Sequence, residues 1–193
     1  VEGVNRSLGI VRQKLSELHG HGSHKASWRN LFLSPKVVEV RVRGRDVDFL
    51  RAEVFLADLN VLTQNEFADV FTTDVLIRLL YEDFLVQIRD EFVPDMIAKR
   101  LIEQKRHYYQ KKPAGAGDYQ RRLRWMVLSL QMKRELALRG EIFLHDVSVA
   151  SPGFAMSLDE LLSILFMDFI VEIQKGKQRE LIRMIIDRLD QFE

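Results

Sequence analysis

KVVEVRVRG, residues 36–44, alternates from Val38 onward: Val38, Val40 and Val42 fall on one side, Glu39, Arg41 and Arg43 on the other. A period of two marks a half-buried β-strand, because successive side chains leave a strand on opposite faces. Gly44 closes the run. A second strand is expected from EIFLHDVSV (141–149), where Ile142 and Leu144 share a face and Val147 and Val149 follow after a shift. Pairing of 37–43 with 141–149 would close a small sheet across the chain.

Almost everything else repeats at three and four residues, the helical spacing. Val4, Leu8, Val11, Leu15 and Leu18 form an amphipathic helix that runs into HGHGSHKAS (19–27), a connector rich in glycine and histidine. VDFLRAEVFLADL (47–59) places Phe49, Glu53 and Leu56 for a helix, although Val54-Phe55-Leu56 also suits a strand. Thr63 to Glu66 has the form of a capping box, in which a hydroxyl and a carboxylate satisfy orphan backbone donors. A helix starts at Thr73-Asp74, with Leu76, Leu79, Leu80, Phe84, Ile88 and Phe92 in one stripe. Pro94 lacks the amide that a helix interior needs, so it breaks that helix and opens the next, which ends near Tyr109.

Residues 113–117 form a loop, a helix follows from 118 to 138, and Gly140 ends it. Ser157 to Glu160 is another capping box, opening an apolar helix through Ile173 that Gly176 terminates. Residues 179–192 make the last amphipathic helix. The fold class is therefore mainly α, about seven helices, with a minor two-stranded β element. Residues 1–27 are an N-terminal helix and connector, and residues 28–193 a single helical domain with a basic helical hairpin at 95–139. No internal repeat is recognised.

The composition is that of a globular chain: 47% hydrophobic and 30% charged in 193 residues. There is no cysteine, which removes thiol nucleophiles and thiolate metal sites. The longest apolar run, LLSILFMDFIVEI (161–173), is too short for the about 20 residues of a membrane span. With no cysteine to indicate an oxidising compartment, an intracellular location, cytoplasmic or nuclear, is expected.

Charge is unevenly placed. Lys99, Arg100, Lys105, Arg106, Lys111, Lys112, Arg121, Arg122 and Arg124 stand against only Glu103 and Asp118, while the chain as a whole carries +1. Tyr108 and Tyr109 lie among them. Such a cluster would draw phosphates, and the rings could stack on unpaired bases. An acidic protein, or a second copy of the chain, would suit it equally.

His19, His21 and His24 supply enough imidazoles for a zinc site but lack a rigid scaffold and clear supporting carboxylates. Glu103 and His107 share a helix face without the spacing of a di-metal bundle. Residues 114–117 lack both the dinucleotide fingerprint and the phosphate-loop ending, and neither a nucleophile elbow nor a zincin motif is present. No cofactor and no enzymatic activity are expected. The residues point first to an interaction or assembly protein acting through helical surfaces and self-associating, and second to a nucleic-acid-binding protein using residues 99–124.

Overall fold

The computed structural model describes residues 36–64, 71–109 and 124–189. Strand β1 (Val37–Arg45) runs straight into helix α1 (Asp46–Leu62). Helices α2 (Thr73–Asp90) and α3 (Pro94–Tyr109) follow, with the break at Pro94 where the missing amide requires it. Strand β2 (Trp125–Lys133) then runs straight into α4 (Arg134–Ala150). Helices α5 (Leu158–Gln174) and α6 (Gln178–Leu189) complete the described chain. The protein is mostly helical, with one two-stranded antiparallel sheet.

The strand partner of β1 is not 141–149, which lies inside α4. It is residues 125–133, within the stretch whose spacing suggested a helix from 118 to 138. The basic segment is therefore a helix followed by a strand, not a helical hairpin. Gly140 does not end a helix either: it sits in the middle of α4, where a Cβ would lie 1.9 Å from the Tyr81 hydroxyl. Thr63 closes α1, its hydroxyl donating to the Leu59 carbonyl, and Asn65 and Glu66 of the expected 63–66 capping box lie outside the described residues. The second capping box is as expected: Glu160 N–H donates to Ser157 Oγ and Ser157 N–H to the Glu160 carboxylate. Residues 1–27, with their expected helix and connector, lie outside the described residues.

The structure also reveals a duplication that the sequence alone had not shown. Each half is a nine-residue strand, a 17-residue helix joined to it without a loop, and two further helices. LRAEVFLADLNV (50–61) and LRGEIFLHDVSV (138–149) are identical at seven of twelve positions. Residues 72–88 and 157–173 match at seven of seventeen, including Asp83 with Asp168 and Phe84 with Phe169.

The two halves are related by a local two-fold axis through the Arg41–Ser129 rung of the sheet, with Val37 opposite Lys133 and Arg45 opposite Trp125. Equivalent contacts recur on both sides of that axis. Asp46 N–H donates to the Arg124 carbonyl and Arg134 N–H to the Lys36 carbonyl, each at 2.9 Å. Phe55 meets Phe169 edge-on at 5.1 Å, and its counterpart Phe143 meets Phe84 edge-on at 5.4 Å. Asp83 on α2 pairs with Arg188 on α6 at 2.6 Å. Its counterpart Asp168 on α5 accepts from Gln104 on α3. The third helix of the first half thus packs on the second half, while α6 lies against α5 of its own half and reaches α2 through the Arg188–Asp83 pair.

The core gathers beneath the sheet. Val40, Val42, Leu130 and Met132 bury the inner face of the ribbon, while α2 and α5 pack against each other below it. Helix α5 is apolar around most of its circumference, as a central helix must be, and buries Leu161, Leu162, Ile164, Phe166 and Ile170. Its first turns also seal the free edge of β1. Arg41 N–H donates to Asp159 Oδ1 at 3.0 Å and Arg43 N–H to Ser163 Oγ at 2.9 Å, so those amides are not left as a template for another strand.

Candidate nucleic-acid interface

The strands that bury valine, leucine and methionine inward must, by the same alternation, present their other side chains outward. On β1 these are Val37, Glu39, Arg41, Arg43 and Arg45; on β2 they are Trp125, Val127, Ser129, Gln131 and Lys133. Together with Lys36, Arg124 and Arg134 at the strand ends, segments 36–45 and 124–134 carry seven cations against the single carboxylate of Glu39. That balance gives the ribbon a positive field, reduced by Asp46, Asp48 and Asp159, whose carboxylates accept from its backbone amides.

Two networks order the outer face. At its centre Glu39 accepts from Arg41 Nε at 3.2 Å and from Ser129 Oγ at 3.0 Å. The hydrogen bond from Arg41, then that from Ser129, holds the Glu39 carboxyl below the usual carboxylate range. Toward the Arg45–Trp125 end, the Arg43 guanidinium lies over the Trp125 ring at 4.8 Å and the Tyr109 ring at 5.8 Å. Those two rings stack with centroids 5.4 Å apart. The cation–π contacts fix a side chain that would otherwise sweep solvent.

The residues singled out from sequence divide into several groups. Arg124 stands at the head of β2 and Tyr109 at the end of α3, so both join the ribbon. Lys99, Arg100 and Arg106 are exposed on α3. Lys105 pairs with Glu160 at 2.7 Å. Tyr108 donates its hydroxyl to Asp168, and burial, then this bond, pushes its own ionisation far above the tyrosine range. It serves the packing of α3 on α5. Lys111, Lys112, Arg121 and Arg122, and His19, His21 and His24, lie outside the described residues. Among the described residues no group of three His, Cys, Asp or Glu is placed to hold a metal. No described helix is long and apolar enough to cross a membrane.

Arg41, Arg43, Arg45 and Lys133 were missed as site residues, although the outward set of β1 was already visible in its alternation. The signal on β2 was fainter: Leu128, Leu130 and Met132 alternate with Ser129, Gln131 and Lys133.

Away from the ribbon, a concave feature lies between α2 and α4. It is a groove of about 860 Å³ lined by Leu79, Val86, Phe92, Leu136, Ile142 and Phe143, with Asp83, Arg139, Asp146 and Arg188 also along it. Phe92, which the helical stripe had placed in α2, falls just beyond that helix and is 46% exposed. Neither a known protein family, nor a curated protein, nor a solved structure matches the chain.

Proposed function

We propose that the protein binds duplex DNA by laying the outer face of the β1–β2 ribbon in the major groove. The observation that carries this reading is the two-fold ribbon itself: exposed, cationic at both ends, and studded with arginine, serine and glutamine. Two strands about 4.8 Å apart, with their side chains, fit a major groove about 12 Å wide. Nine residues at about 3.3 Å each give a ribbon roughly 30 Å long, close to one helical turn of B-DNA. Lys36, Lys133 and Arg134 at one end, and Arg45 and Arg124 at the other, stand where the flanking phosphates would be met.

The major groove of an RNA duplex is too deep and narrow for side chains to read, which favours DNA. Single-strand binding has less support, because Tyr108 is bonded to Asp168 and Tyr109 is stacked on Trp125. The test is an anisotropy titration of labelled duplex and single-stranded oligonucleotides at about 50 and 200 mM salt. Duplex binding should be the tighter and should weaken by orders of magnitude at the higher salt. No duplex binding at low salt would overturn the reading.

A second reading, assembly through helical faces, is favoured by apolar residues kept outside the core in both halves. Val54 and Ile142 are equivalent positions and 62% and 46% exposed; Val61 and Val149 are equivalent and 73% and 70% exposed. Sedimentation across a hundredfold concentration range tests it, with Val54→Glu expected to reduce any self-association. A sedimentation coefficient that does not change with concentration would contradict it.

A further inference from the structure

The two halves share seven of twelve residues across 50–61 and 138–149 but none across their strands, and the unlike outward ribbon residues bear on what kind of DNA the ribbon would read. A perfectly two-fold ribbon presents the same pair of side chains, reversed, on either side of its central rung. Here the rung on one side of Arg41–Ser129 is Glu39 opposite Gln131, and the rung on the other side is Arg43 opposite Val127. We propose that the protein recognises a directional DNA site, an inverted repeat in position but with two unlike half-sites; this rests on the duplex-binding reading above.

The chemistry of each half follows from what base edges offer. Arg43, held over Trp125, presents a fork that suits the O6 and N7 of guanine, and the neighbouring Val127 methyls suit a thymine methyl. On the other side Gln131 matches the N6 and N7 of adenine, and Glu39 accepts from the cytosine amine. Two pairs of backbone contacts remain two-fold, because Arg45 and Lys133 are equivalent cations and so are Arg124 and Lys36, while Arg134 has Asp46 as its counterpart. Spacing is therefore symmetric while base identity is not. A homodimer of one half would be held to a palindrome; covalent duplication frees each strand to diverge.

The experiment is selection of bound duplexes from a random pool, with sequencing of the enriched fraction, on the full chain. The expected consensus has two unequal halves, one containing guanine and one adenine. Gln131→Ala should relax the adenine half alone, by about tenfold or more in discrimination at one base pair. Val127→Glu, Ser129→Arg and Gln131→Arg together give β2 the three central outward residues of β1 and should move the consensus toward a palindrome. Both variants change exposed side chains, and matching melting curves confirm that the fold is kept. A palindromic consensus from the wild type, or none, overturns this inference while duplex binding stands. A pool from which no duplex is retained overturns the reading beneath it as well.

Discussion

Gly140 sits in the interior of α4, where alanine would ordinarily be better by roughly 1 kcal/mol. It is glycine because the Tyr81 hydroxyl, which donates to the Leu136 carbonyl at 3.1 Å, occupies the space of its Cβ. The equivalent positions in the other half are Ala52 and Phe166, a ring without the hydroxyl and a helix with its methyl. Gly140→Ala should therefore cost about 1–3 kcal/mol by overpacking, read as a lower urea midpoint. Adding Tyr81→Phe should recover part of that loss; a double variant no more stable than the single would contradict this account. Asp168 offers a test by pH. Burial raises its carboxyl above the usual aspartate range, although the bond from Tyr108 acts in the opposite sense. A raised acid favours the fold in its protonated form, so its contribution is full below a pH of about 3.9 and is lost as pH climbs through the raised value. Asp168→Asn cannot ionise and should gain on the wild type as pH rises from about 3.9 through the raised value; a gap that stays constant would contradict the assignment. Little of this was legible beforehand, because a glycine near the end of an apolar stretch looks like a cap until the residue facing it is known.

At the scale of elements, local signals were enough where the local chain decides the outcome. The alternation of β1, the stop at Pro94 and the Ser157 capping box each act through neighbours in sequence. Strand β2 was not legible for the opposite reason. WMVLSLQMK (125–133) has one β-branched residue, and leucine, methionine, glutamine and lysine are good helix formers. Pairing with β1, some 90 positions away, makes it a strand. The ribbon in turn depends on α5. Ser163→Ala would leave the Arg43 amide without its acceptor, at a cost of about 1–3 kcal/mol. Hydrogen exchange at the Arg43 amide should quicken more than exchange across the sheet as a whole. Unchanged protection there would show that the edge is sealed by something else.

The described residues form two copies of one strand-and-three-helix unit, joined across the sheet, by the packing of α3 on the second half and by the Arg188–Asp83 pair. The repeat escapes a search at fixed period because the offset slips, from 88 residues across the strands and first helices to 85 across the second. Its outcome is a two-fold ribbon made by a single chain, and the identities concentrate in helices that pack against one another. Both faces of the ribbon have diverged, the inner one among apolar residues and glycine, the outer one in charge at Glu39/Val127, Arg41/Ser129 and Arg43/Gln131. The most direct measurement is duplex affinity at low salt for the wild type and for Arg41→Glu with Arg43→Glu, the fold of the variant being verified by its melting temperature. Loss of each arginine contact should cost about 1–3 kcal/mol, so the double variant should bind at least about thirtyfold more weakly. Equal affinity in a properly folded variant would contradict the claim that the ribbon is the binding face.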